Sequence, residues 1–141
     1  MLKKILFGGE SGLSASANLG LFLVRVFAGL SLMLAHGFGK IPPGEGLVET
    51  TGKLGFPMPE VFAWAASLAE FAGGGLLALG LFTRLSGFFI AFTMFVAVFG
   101  VHLSDPFGKK ELGLMYLVIA LCFLLTGAGD WSLDAVFRKR K

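Results

Sequence analysis

Residues 18–36 read NLGLFLVRVFAGLSLMLAH. A hydrocarbon core about 30 Å thick needs roughly 20 mostly apolar residues per spanning helix, with about 17 as a lower limit. This run meets that requirement, and Arg25 is its only fully charged side chain. Three further runs behave in the same way, at 61–82, 85–103 and 112–128. Together they predict an all-α integral membrane protein: a four-helix transmembrane bundle over 18–137. A 1–17 segment precedes it and a basic tail, 138–141, follows.

Composition supports this assignment. Of 141 residues, 55% are hydrophobic and 15% charged, far from the balance of a soluble domain. The net charge of +3 comes from basic residues beside hydrophobic runs and at the chain ends, a pattern that suits a membrane surface and not nucleic acid. Cys122 is the single cysteine. An intramolecular disulfide and a CxxC redox motif are therefore excluded, and Cys122 is expected to be a small buried apolar residue. Lys3 and Lys4 followed by an apolar run resemble a secretory signal. The Gly/Ser-rich spacer between Gly8 and Ser16 and the length of the run favour a retained helix.

An even number of spans puts both termini on one side. That side carries Lys3, Lys4, Arg84, Arg138, Lys139, Arg140 and Lys141, against Lys40, Lys53, Lys109 and Lys110 on the other. The positive-inside bias predicts cytoplasmic termini and a multi-pass protein of the bacterial cytoplasmic membrane, with Trp64 and Trp131 near opposite interfaces. Pro42, Pro43, Pro57 and Pro59 break the connection after the first helix at both ends. Between them, Leu47, Val48 and Leu54 predict a short interfacial or re-entrant segment. Phe88, Phe89, Phe92, Phe95 and Phe99 are expected on lipid-facing and packing surfaces alike.

Charged groups inside a span are costly and face the bundle interior or water, which singles out Arg25 and Glu70 as candidate catalytic residues. Gly73, Gly74 and Gly75 follow Glu70 and would let a backbone or a flat ligand approach closely. Arg25, Gly29, His36 and Lys40 fall on one side of the first helix. Helix ends then bring His36, Lys40, His102, Asp105 and Glu111 to one outer mouth above Glu70, with His36, Lys40, His102 and Glu111 as candidate ligand-binding residues. Two readings stay open here. In one, Arg25 and Glu70 form a buried ion pair that fixes packing and the histidines sit at the interface. In the other, Glu70 exchanges a proton while Arg25 or a histidine anchors a polar head. No metal site is expected, since HxxxH, CxxCH and a carboxylate set at ligand spacing are all missing.

Arg25 with Gly29, the His36, Gly37 and Lys40 group, LGFPMP before the second helix, Glu70 with its glycines, GLFTR ending at Arg84, and GAGDWSLD around Asp130 to Asp134 together resemble the DoxX family of small four-helix bacterial membrane proteins. The likeness runs from about Leu19 to Phe137. It implies a cytoplasmic-membrane oxidoreductase subunit, with relatives linked to quinone-dependent sulfur oxidation and to oxidative or quinone stress. It brings no established catalytic set, and the lone cysteine argues against a thiol mechanism like that of vitamin K reductases. The leading expectation is a quinone-interacting subunit whose electrons come from a soluble redox partner, because no dinucleotide, CxxC or haem motif is present. A non-catalytic anchor for a soluble enzyme and a small proton-coupled transporter are the alternatives. Gly-rich faces leave a homodimer open.

Overall fold

The computed structural model describes residues 6–139. Among these the regular structure is all helical. Helix α1, Ala15–Ser31, starts at Ser14, whose hydroxyl accepts the Ala17 N–H at 3.2 Å and satisfies one of the free donors of the first turn. It runs on through a π-helical turn, Leu32–Gly37, and a 3-10 turn, Phe38–Lys40, to a cis Ile41–Pro42 bond. Helix α2, Glu45–Lys53, is the short segment expected between the proline breaks, and it packs on α3. Helix α3, Pro59–Leu79, opens on a proline whose missing N–H costs nothing there. It ends at Gly80, where φ is 66° and a side chain would be strained. Helix α4, Thr83–Val96, continues into a second π turn, Ala97–Val101. Helix α5 spans Phe107–Thr126 and α6 Leu133–Lys139.

The rods Ala15–Lys40, Pro59–Leu79 and Thr83–Val101 are long and apolar enough to cross a membrane. Helix α5 differs from the fourth predicted span in a definite way. Its first five residues include Lys109, Lys110 and Glu111, which leaves 112–126 as its apolar part, about 22 Å at 1.5 Å per residue.

Lateral order follows from small residues. Helix α3 packs on both α1 and α4, and α5 packs along α4. A Cβ on Gly29 would lie 2.5 Å from the Gly74 carbonyl oxygen, one on Gly37 2.5 Å from the Phe71 Cα, and one on Gly87 2.8 Å from the Ala120 carbonyl oxygen. The glycines after Glu70 are thus consumed by helix packing: Gly74 against Gly29, Gly75 against the Met33 sulfur, Gly73 against Ile90. Leu32, Leu77, Ile90, Met94, Leu117 and Phe123 fill the centre.

Large apolar side chains point outward instead. Phe88, Phe89, Phe92, Phe95 and Phe99 are all exposed, and the packing among them is of ring on ring, Phe88 with Phe89 and Phe95 with Phe99. Cys122 is likewise exposed on α5 and not buried as predicted. Lipid is as apolar as the core, so hydrophobicity does not tell the two faces of such a helix apart. Trp64 stands near the start of α3 and Trp131 beyond the end of α5, at opposite ends of the molecule as expected.

Candidate functional site

Two polar clusters occupy opposite ends of the helices. At the end shared by the chain termini, Arg25 is buried, with Nη1 donating to the carbonyls of Leu77 (3.3 Å) and Ala78 (2.6 Å) and Nη2 to that of Trp131 (2.8 Å). The last carbonyls of a helix lack intrahelical partners and carry the negative end of its dipole, so a guanidinium is well placed there. Asp134 does the converse for α4. Its carboxylate accepts the N–H groups of Phe82 (2.8 Å) and Thr83 (2.9 Å), holding Phe82 at φ 49°. GLFTR and GAGDWSLD are therefore two halves of one structural clasp.

Beside that clasp, Asn18 donates to the Asp130 carboxylate at 3.2 Å and accepts the Asp130 N–H at 2.8 Å. The Asn18 hydrogen bond, then the Leu13 N–H and the Arg138 charge, hold the Asp130 carboxyl below the usual carboxylate range against a smaller opposing effect of burial.

These contacts correct the proximity expected of Arg25 and Glu70. Arg25 binds the end of α3, whereas Glu70 lies two turns earlier in that helix and pairs with Lys40. The Lys40 ammonium donates to both carboxylate oxygens, at 2.6 and 2.9 Å. The Glu70 side chain is 7% exposed and that of Lys40 40%.

This pair forms part of the wall of a cleft of about 160 Å³, which His36, Met94, Val98, His102 and Tyr116 also line. The two π turns shape it. Leu32, His36 and Lys40 all face the cleft at intervals of four residues, a spacing that would drift by about 80° over two ordinary α turns. A π turn accommodates the extra residue and often marks a functional site. On α4 the second π turn closes with the His102 N–H on the Ala97 carbonyl (2.9 Å), bringing His102 to the cleft while Val101 stays exposed.

His36 meets the Tyr116 ring edge to face at 5.7 Å. The His102 Nδ1 is 2.7 Å from Asp105 Oδ2. That hydrogen bond is the main cause of an Asp105 carboxyl held below the usual carboxylate range; Lys109 and Lys110 add to it and partial burial opposes it.

Of the predicted mouth residues, His36, Lys40, His102 and Glu70 come together in the cleft and Asp105 braces it, but Glu111 is exposed and outside the lining. Tyr116, Lys109 and Lys110 line the cleft without having been singled out by the sequence. The usable signal for Tyr116 was a lone phenol in an otherwise apolar run; Lys109 and Lys110 had been counted only as loop charges. The cleft combines a carboxylate, an ammonium, two imidazoles and a phenol with apolar walls. Such a set can bind a flat, weakly polar ring and exchange protons with it.

Fold and site define a small helical membrane protein with a polar cleft at the end opposite the Arg25 and Asp134 contacts. The chain belongs to the DoxX family: residues 20–103 match the model described as DoxX. It is 32% identical over 131 residues to the protein named "Putative oxidoreductase CatD" of Bacillus subtilis (strain 168), covering 92% of this chain and 96% of that one. It is 36% identical over 123 residues to "Inner membrane protein YphA" of Escherichia coli (strain K12), covering 81% and 88% of the two chains. "Inner membrane protein YqjF" of the same organism is 31% identical over 87% of this chain and 95% of its own. No solved structure matches. The family match takes in Arg25, His36, Lys40, Glu70 and His102 and stops short of Tyr116 and the Asp134 clasp.

Proposed function

We propose that this protein binds the head ring of a membrane quinone in the cleft and serves as the quinone-interacting subunit of a membrane redox system. The carrying observation is the Lys40–Glu70 pair in the wall of a ring-sized cleft. A cavity of about 150 Å³ is enough for a benzene ring, so the cleft suits one six-membered ring with its tail left in lipid. Lys40, Tyr116 and the histidines supply donors for ring oxygens, and Leu32, Met94 and Val98 supply the apolar faces.

Reducing a quinone to a quinol consumes two electrons and two protons. Residues of the cleft hold and pass the protons, while the electrons come from a flavin- or metal-bearing partner protein. The oxidoreductase name of the Bacillus relative is consistent with this role.

In this reading α5 is the fourth span. It packs against α4 over much of its length, and its 20 residues make about 30 Å, the thickness of the hydrocarbon core. Lys109 and Lys110 lie at its outer end, where Lys109 is 3.9 Å from Asp105 and Lys110 donates to the Leu103 carbonyl (3.1 Å). The positive-inside bias places the termini in the cytoplasm and the cleft on the outer face of the cytoplasmic membrane.

Quinone content after purification into lipid nanodiscs, by extraction and mass spectrometry, tests the proposal. Near-stoichiometric quinone that falls in Glu70→Gln supports it. An empty wild-type protein favours a non-catalytic anchor for a soluble enzyme.

A further inference from the structure

Glu70 is buried and Lys40 is engaged with both of its carboxylate oxygens, so a proton entering the cleft needs another group that touches both the cleft and water. His102 meets this condition: it lines the cleft, yet its side chain is 44% exposed. The backbone aims it there, because the π turn Ala97–Val101 puts residue 102, and not 101, on the cleft face. Asp105 then folds back over the ring. Its N–H donates to the His102 carbonyl (3.1 Å) and its Oδ2 lies 2.7 Å from Nδ1. An ionised carboxylate only accepts hydrogen bonds, so Nδ1 must be the donor, and Nε2 of the neutral ring keeps a free lone pair. No side chain among the described residues bonds Nε2.

We infer that His102 is the proton-exchanging group between the cleft and the outer solution, and that Asp105 is its positioning residue, fixing the tautomer that leaves Nε2 as the base. Exchange needs no net chemistry at the dyad. Nε2 takes a proton from water, forming an imidazolium held against Asp105, and passes it into the cleft, where reduction of the quinone consumes it. The charged and titratable groups around the cleft are His36 and Lys40 on α1, Glu70 on α3, and Lys109, Lys110 and Tyr116 on α5. The three lysines oppose the imidazolium, while Asp105 and Glu70 favour it. This inference rests on the quinone reading for the identity of the proton acceptor.

The test uses the full chain in nanodiscs, labelled with ¹⁵N-histidine, in wild-type, Asp105→Asn, Asp105→Glu and His102→Gln forms. Imidazole nitrogen spectra should show His102 protonated at Nδ1 in the wild type and in Asp105→Glu. Asp105→Asn should show a mixture of tautomers. Affinity for decylubiquinol is measured from pH 5.5 to 8.5 on the same samples. The wild-type profile should show one proton-linked step that changes in Asp105→Asn, is restored in Asp105→Glu and is absent in His102→Gln. Two results overturn the inference while leaving the quinone reading intact: a wild-type His102 protonated at Nε2 alone, or an Asp105→Asn profile that superimposes on the wild type. Failure of the wild type to bind decylubiquinol at any pH overturns the quinone reading, and the exchange role with it.

Discussion

Lys40 donates to both carboxylate oxygens of Glu70, from a position that reaches water to one that does not. The asymmetry predicts unequal mutants. In Glu70→Gln the Lys40 ammonium turns toward solvent, and the loss is that of an exposed pair, within about 1 kcal/mol. In Lys40→Met a carboxylate is stranded in a buried site, at a cost of about 3 kcal/mol. The double variant should recover most of that difference. Thermal unfolding in nanodiscs gives the order, and equal losses in the two single variants would contradict the geometry.

Asp134 accepts two N–H groups at the start of α4, and both lose their acceptor in Asp134→Ala. Each stranded donor costs about 1–3 kcal/mol, so this variant should be among the least stable single substitutions at that end. Asp134→Asn keeps one acceptor oxygen and should lose about half as much. Ligand binding at the far end should survive in whatever fraction remains folded, as a binding titration at low temperature would show.

Gly29 and Gly20 lie on the same helix, yet a Cβ at Gly29 strikes the Gly74 carbonyl while one at Gly20 meets nothing within 4 Å. Gly29→Ala should push α1 away from α3 and cost about 1–3 kcal/mol through overpacking. Gly20→Ala should be neutral or slightly stabilising, because alanine is the better helix former. Unfolding midpoints of the two variants, compared side by side, check the packing register.

The Asp130 carboxyl titrates below its ordinary value in the folded protein. Its stabilising contribution is therefore fully present above the unfolded value, about 3.9, and is lost as pH falls through the folded one. Asp130→Asn should remove that part of the acid limb of the stability profile. Melting curves between pH 2.5 and 5 would show it, and an unchanged limb would assign acid sensitivity to other carboxylates.

The sequence showed the helical segments because each contains a long apolar run, and it showed that Arg25, His36 and Lys40 share a side of the first helix. It did not show which partner each would meet. That depends on the antiparallel register, which Gly29 against Gly74 sets. Arg25 then falls opposite Ala78, and Glu70 opposite the end of α1, where Lys40 waits. Lys40 was read as a residue of the mouth, but its pairing with Glu70 was not, because the π turn that swings it inward leaves no signature in hydropathy. Glu111 was misplaced for a related reason: the start of α5 lies five residues earlier than its apolar run suggests, and its side chain stays outside the cleft. Phe88 through Phe99 and Cys122 were ambiguous because in lipid an apolar residue is equally at home on either face.

The central claim is that the Lys40–Glu70 cleft holds a quinone ring. The most direct test is the amount of quinone extracted from the wild-type protein purified into nanodiscs, measured beside Glu70→Gln at matched folding. The account predicts close to one quinone per chain in the wild type and a severalfold fall in the variant. Equal quinone in both, at the background level of the lipid, would contradict it.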